Sequence, residues 1–380
     1  MLFHLLAPLG EHYIFFNPFN YITFRTAGAG VTAIVMAFAV GPPIIRRLEA
    51  KGIGQVIRNE GPASHQSKRG TPTMGGLIIL LSTLVPTLLW ARLDNRYVVI
   101  AALAMVWMGC IGFIDDYLKS VSGKSRGLIA KYKLVGQITF GIGLGSVLLL
   151  APSNMVFQAT DTVVQGNAIT LPFFKYVVIL LPPVVYLGFV TIVTTGASNS
   201  VNLTDGLDGL ATGLTAIAAA TLAIFAYLFG RVDTSAYLLV PYLEGAGELT
   251  IFCAALAGAA LGFLWYNAHP AHIFMGDTGS LAIGGALGTV GILLKSEFLL
   301  LIVAGVFVAE TLSVILQTGT YKWNKRRRGR DYADQHRLFR MAPLHHHFEQ
   351  LGWPESQIVT RFYIAGILFA LLALSTLKLR

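Results

Sequence analysis

The sequence predicts an all-α integral membrane protein of about ten transmembrane helices, with an active-site cleft on the cytoplasmic face and both termini periplasmic. Two observations carry this. The chain of 380 residues is 54% hydrophobic and only 12% charged, where a soluble domain carries roughly 25% charged residues. Apolar stretches near the length of about 20 residues that a bilayer requires also recur along the whole chain. One polytopic membrane domain, residues 1–380, therefore fits better than several soluble domains.

Residues 1–21 have no basic start, and His4, Glu11 and His12 interrupt the segment early. They read as a retained periplasmic or interfacial segment, with Phe15, Phe16 and Phe19 suited to the headgroup zone. Spans are expected near 22–45, 71–91, 97–114, 133–152, 176–196, 208–229, 249–267, 280–294, 298–320 and 358–378. The eighth is short and glycine-rich, so it can be tilted or partly buried. The ninth is the least regular, because Glu310 and Gln317 interrupt it. Cys110 and Cys253 sit in apolar runs and read as small core residues, not a disulfide or a cysteine metal site.

Alternation places the loops 46–70, 115–132, 197–207, 268–279 and 321–357 on one side. With the span-edge residues Lys133 and Arg361, that side carries 20 of the 28 Lys and Arg residues. The positive-inside rule puts it in the cytoplasm. The net charge of +9 thus reads as membrane topology rather than nucleic-acid binding.

The same side holds nearly every unusual motif. The first loop ends in Lys68-Arg-Gly-Thr-Pro-Thr-Met-Gly-Gly76 and the second opens with Phe113-Ile-Asp-Asp-Tyr-Leu-Lys119. The third holds Asn199-Ser-Val-Asn-Leu-Thr-Asp-Gly-Leu-Asp-Gly209. The fourth runs from Asn267 through Phe274-Met-Gly-Asp-Thr-Gly-Ser280. The long fifth loop contains Met341-Ala-Pro-Leu-His-His-His-Phe-Glu349.

Five aspartates, Asp115, Asp116, Asp205, Asp208 and Asp277, lie at or near span ends. Facing lipid they would cost on the order of 15 kcal/mol together, more than a whole protein's usual stability. They must face water or a cation. Carboxylates with Asn and no Cys suit Mg²⁺. Plainer readings stand beside this one. Asp115 and Lys119 are spaced i,i+4 as at an ordinary helix end. The glycines around Asp205 and Asp208 allow a loop that offers N–H groups to a phosphate, or a helical turn. Gly276-Asp-Thr-Gly279 can be a structural turn. Three consecutive histidines cannot all face one ion, so His345, His346 and His347 argue against zinc. They suit phosphate contacts or a solvated loop. Lys68, Lys119, Lys124, Lys131 and Lys133 fit diphosphate or simple topology. Together the parts suit phosphoryl transfer between a soluble nucleotide and a membrane-held acceptor, by alignment and charge neutralisation.

At these motifs the sequence resembles the polyprenyl-phosphate N-acetylhexosamine-1-phosphate transferases, over roughly Lys68 to Arg361. The His-His-His-Phe-Glu segment, Gly352-Trp-Pro-Glu355 and Arg361-Phe362 point to its muramoyl branch rather than the N-acetylglucosamine branch. The resemblance implies UDP-MurNAc-pentapeptide as donor, undecaprenyl phosphate as acceptor, lipid I and UMP as products, and a place in peptidoglycan synthesis at a bacterial inner membrane. It implies Asp277 as the Mg²⁺ ligand. Asp115 and Asp116 would lie beside the lipid phosphate, as base in one displacement or nucleophile in two. Asn199, Asn202, Asp205, Gly206 and Asp208 would shape the nucleotide-sugar cleft, with Lys68, Asp208 and Phe274 toward uridine and Asn267 as a further substrate-binding residue. Lys119 and Lys131 would meet the diphosphate. His345, as a catalytic group, and His346 and His347 would contact sugar or diphosphate. A homodimer is also implied, without an interface legible in sequence. Ser200 and Tyr363 depart from the family pattern, where a smaller apolar residue and Trp are expected. The competing readings are the same chemistry with UDP-GlcNAc, and an ion-coupled transporter or flippase.

Overall fold

The computed structural model describes residues 1–52, 54, 70–120, 127–152, 155–157, 162–174 and 177–377. Lys68 lies outside them, as do Arg58, Arg69, Lys124 and Arg126 of the charge count.

The principal helices are α1 (Ile22–Ala50), α2 (Gly76–Trp90), α3 (Arg96–Ser120), α4 (Ala130–Leu150), α5 (Pro183–Thr204), α6 (Leu210–Phe229), α7 (Leu249–Asn267) and α8 (Gly276–Leu293). They are followed by α9 (Glu297–Val303), α10 (Gly305–Arg328), α11 (Leu344–Glu349) and α12 (Glu355–Ser375). Seven helices among the described residues are long and apolar enough to cross a membrane: α1, α3, α4, α5, α6, α7 with its preceding turn, and α12. The protein is thus a multi-pass membrane protein by helix length and composition.

The helical class stands, and two details refine it. The ninth segment is not one regular helix: α9 and α10 meet at 88° around Ala304. The irregularity signalled by Glu310 is real, but it marks a broken element. The fold is also not purely helical. Among the described residues there are two short antiparallel hairpins, β1 (Met155–Phe157) with β2 (Thr162–Val164), and β3 (Ala168–Thr170) with β4 (Val178–Leu180). The segment expected as a span from residue 176 is strand β4 at 178–180, and its helix begins only at Pro183. Val178-Ile-Leu180 is a short apolar run that hydropathy cannot assign to strand or helix. Pro at the first helical position then starts α5.

Small residues set the packing. Ala29, Ala33, Ala37 and Gly41 form a buried i,i+4 stripe on α1, and α7 lies against it. A β-carbon at Gly262 would come within 2.6 Å of Ala37, so the two helices approach as small-xxx-small pairs do. Helix α8 is buried from Thr278 to Leu293 without a gap. It runs between α3 and α5, where a β-carbon at Gly285 would come within 2.5 Å of Met108 and one at Gly284 would collide with the backbone of Ala197 and Ser198. The glycine-rich sequence is what lets a central helix be surrounded so closely. Away from the motif loops, Arg25 makes a bidentate pair with Glu248 at 2.8 and 2.7 Å, both side chains buried. Glu248 also accepts the Arg92 N–H at 3.0 Å.

Candidate active site

Helix α3 carries Asp115 and Asp116 one residue apart, so they point in different directions and do different work. Asp116 faces the start of α8. It accepts the N–H groups of Asp277 and Thr278 at 3.1 and 2.8 Å and the Thr278 hydroxyl at 2.6 Å. It thus satisfies donors that a helix start leaves open and places an anion at the positive end of the helix dipole. Asp115 is fully buried and accepts the Leu128 N–H at 2.6 Å. Its other oxygen pairs with Lys119 and, at 2.7 Å, with Lys133. The i,i+4 helix-end pair foreseen for Asp115 and Lys119 is therefore present, but as part of a larger centre.

Asp277, in the first turn of α8, completes it. One oxygen pairs with Lys119 at 3.0 Å and Lys133 at 2.5 Å. The other accepts the Asn202 amide at 2.8 Å, and the same amide donates to Ser280 Oγ at 2.8 Å. Oxygens of Asp115, Asp116 and Asp277 all lie within 4.8 Å of one another. Three carboxylates against two ammonium groups leave net negative charge. With an amide and two hydroxyl oxygens adjacent, the donor set is all oxygen, which fits a hard divalent cation such as Mg²⁺. Asp205, at the end of α5, borders this centre. Burial first, then the charges of Asp277, Asp116 and Asp208, push its carboxyl up to about 8, against an opposing bond from Gly276. The direction of that shift, set by burial and neighbouring carboxylates, is what an acid-rich site short of positive charge produces.

A second cluster adjoins the first through the Asp205–Gly209 loop. Asp208 Oδ2 lies 3.1 Å from His269 Nδ1 and accepts the Ala271 N–H at 3.1 Å. Its own N–H donates to Glu355 Oε1 at 2.7 Å. The backbone of residues 72–76 docks at the entry to α8: Phe274 N–H donates to Pro72 O, and Gly75 and Gly76 donate to Phe274 O and Met275 O, all at 2.8–2.9 Å. Gly75 must be glycine here, since a β-carbon would come within 2.7 Å of Phe274 O. Buried His345 lies against Gly206, where any side chain would overlap its ring.

The structure thus brings together segments of all five motifs, including Asp115, Asp116, Lys119, Asn202, Asp205, Gly206, Asp208, Phe274, Asp277 and His345. Other candidates stand apart or serve the frame. The Asn199 amide donates to Gln137 and to Thr195 O, both at 2.8 Å. Asn267 is buried and bonded to Thr212 and Ile273 O. Lys131 is exposed and makes no ion pair in the cluster, whereas Lys133 sits in it. His346 pairs with Glu349 at 2.6 Å and His347 accepts the Arg340 N–H at 3.1 Å. His269, Glu355 and Thr278 were not legible as site residues, because each acts through a tertiary neighbour. Tyr363 has more consequence than its place as a packing variant suggested: its hydroxyl donates to Gly209 O at 2.7 Å, at the end of the Asp208 loop.

Against this geometry, residues 98–295 match the model of glycosyl transferase family 4, which sets the class. Residues 68–80 match phospho-N-acetylmuramoyl-pentapeptide-transferase signature 1. The chain is 59% identical to the phospho-N-acetylmuramoyl-pentapeptide-transferase of Gemmatimonas aurantiaca, over the full length of both chains. Full-length matches to the proteins of that name from Geobacter sp. (strain M21) and Koribacter versatilis are 50% and 49% identical. The chain therefore belongs to glycosyl transferase family 4, and within it to the phospho-N-acetylmuramoyl-pentapeptide transferases.

Proposed function

We propose that the protein transfers phospho-N-acetylmuramoyl-pentapeptide from its UDP conjugate to undecaprenyl phosphate, giving lipid I and UMP, as a membrane step of peptidoglycan synthesis. The observation that carries this is the convergence of Asp115, Asp116 and Asp277 with Lys119 and Lys133 in a chain that matches enzymes of that name over their full length. An oxygen of the lipid phosphate attacks the sugar-bearing phosphorus. The bond from that phosphorus to the bridging oxygen breaks, and UMP leaves with the electron pair. Lys119 and Lys133 neutralise charge on the diphosphate as it redistributes. Asp115 would take the acceptor's proton in one displacement, or in two steps would itself attack the sugar-bearing phosphorus as UMP leaves and then be displaced by the lipid phosphate. Asp277, with Asn202 beside it, would hold Mg²⁺, which supplies charge neutralisation at the diphosphate. Asp116 keeps the start of α8 in place, so that Asp277 faces the lysines. Asp208, Phe274 and the docked 72–76 segment form the uridine side. Lys68, which precedes that segment in the sequence, keeps the role toward the donor that the resemblance implies, whereas Asn199 and Asn267 serve the frame and Lys131 stands apart. His346 and His347 would serve the sugar or diphosphate, and buried His345 would act through the Gly206 loop it packs against.

The fold reading that goes with this counts ten crossings in one membrane unit. Besides the seven long helices it takes α2, the buried α8 and the bent α9–α10 pair as crossings. Basic loops then face the cytoplasm, and both termini face the periplasm, at the bacterial inner membrane. A homodimer is part of the proposal by family resemblance. The test is a purified-protein assay with undecaprenyl phosphate, Mg²⁺ and either donor, following UMP and lipid product. Turnover of UDP-MurNAc-pentapeptide is expected. Turnover of UDP-GlcNAc alone would reject the donor assignment.

A further inference from the structure

Glu310 has no part in the chemistry above, yet it is a fully buried carboxylate in an apolar helix. It lies on α10, shortly after the 88° bend. Its Oε1 accepts the backbone N–H of His345 at 3.2 Å and lies 3.2 Å from the His345 Nδ1. The ring contact is close but not aligned as a formed hydrogen bond. Neither His345 ring nitrogen, nor Glu310 Oε2, has a hydrogen-bond partner among the described residues. A buried imidazole with both nitrogens unused is expensive as mere packing. The far side of the ring meets Gly206, where a β-carbon would overlap Nε2. The imidazole therefore sits between a carboxylate on one side and the Asp205–Gly209 loop on the other.

Gln317 supplies a second anchor. It is seven residues on, two turns along the same face of α10. Its amide donates to Phe339 O at 3.0 Å and accepts the Phe339 N–H at 2.9 Å. The two polar residues that make the ninth apolar segment irregular are thus the two that hold the 339–345 stretch. A carboxyl group beside Nδ1 can accept a hydrogen carried there, which fixes the ring's orientation and turns Nε2 to the loop.

We propose that Glu310 is a positioning residue for the transfer reaction: it holds His345 with Nε2 turned to the Gly206 loop, while Gln317 anchors the same segment. The inference rests on the transferase reading, and it concerns turnover rather than donor choice.

The experiment is a double-mutant cycle on UMP release with saturating donor and acceptor. Glu310→Gln keeps the volume and removes the charge. It is expected to lower kcat about tenfold, the scale on which groups that orient metal-bound histidines act, and to leave the donor KM within about twofold. His345→Ala lowers kcat on its own. Glu310→Gln added to His345→Ala is expected to change kcat by less than about twofold, because the group it positions is gone. Effects that multiply in the double variant would overturn the proposal and leave Glu310 a structural residue. If Glu310→Gln does not survive extraction, Gly206→Ala takes its place. It displaces the ring from the opposite side and is expected to be equally non-additive with His345→Ala; multiplication there overturns the proposal too. Wild-type turnover of UDP-GlcNAc alone would sink the donor assignment but leave the cycle readable.

Discussion

Asp277 gives one oxygen to two lysines and the other to Asn202. Replacing it with Asn removes the charge that Lys119 and Lys133 face, together with the proposed cation ligand. Turnover is expected to fall at least about 100-fold, the scale of losing a main electrostatic group, with the detergent melting point little changed. Full Mg²⁺-dependent activity in Asp277→Asn would reject the metal assignment. Lys131 and Lys133 offer a sharper contrast, since the resemblance pointed to Lys131 as a diphosphate contact and the structure puts Lys133 in the cluster instead. Lys133→Met is expected to lower kcat about tenfold or more, and Lys131→Met to stay within about twofold, because only Lys133 reaches Asp115 and Asp277. Equal losses would mean that the register of α4 is wrong. Asp205 links the centre to pH. Its carboxyl, normally near 3.8, is pushed up to about 8, so the folded protein holds this proton more tightly than the unfolded chain. Its contribution to cation-free stability is full below about 3.8 and is lost as pH rises through about 8. A divalent cation favours the carboxylate. Affinity for Mn²⁺, a spectroscopic stand-in for Mg²⁺, should therefore rise between pH 6.5 and 8.5, and Asp205→Asn should flatten that rise. An unchanged slope in Asp205→Asn would remove this residue from the account.

At the scale of elements, α8 decides whether the acids meet. Its burial on all sides depends on glycines that admit α3 and α5. A β-carbon at Gly284 would come within 2.6 Å of Ser198 Cα, backbone that cannot swing aside. Gly284→Ala is expected to destabilise by roughly 1–3 kcal/mol, as overpacking does, and to lower activity by shifting Asp277 from Asn202. Gly319→Ala on α10 meets nothing within 4 Å and should leave the melting temperature unchanged or higher, as helix propensity predicts. Similar melting of the two variants would contradict the packing described. The helices were largely legible in sequence, because apolar runs of spanning length admit few other structures in lipid. The hairpins were not, because Val178–Leu180 satisfies strand and helix alike. In the site, Asp115, Asp116, Asp205, Asp208 and Asp277 were legible because charge near apolar helix ends demands a reason. Glu310, His269 and Glu355 were not. What matters about them is a partner some 35 to 147 positions away in the chain, and spacing carries no record of that. Asn199 shows the converse: it stands inside a motif, yet its amide turns to Gln137.

For the whole molecule, the shared centre requires that every motif segment reach one side of the bilayer. Contacts among residues 72–76, 115–119, 202–208, 274–278 and 345 already place those segments together in space. Which compartment they face depends on the loop charges, since Lys and Arg near helix ends resist translocation. Lys325 lies at the basic end of α10, and Tyr237 lies in the 230–248 stretch between α6 and α7; both are exposed. The proposed layout places them on opposite sides. In a background with Cys110→Ala and Cys253→Ala, Tyr237→Cys should react with a membrane-impermeant thiol reagent in intact spheroplasts. Lys325→Cys should react only after the membrane is opened. Labelling of Lys325→Cys in intact cells would turn the candidate site away from the cytoplasm, where nucleotide-sugars are made, and the proposed reaction would lose its donor even though the carboxylates still met.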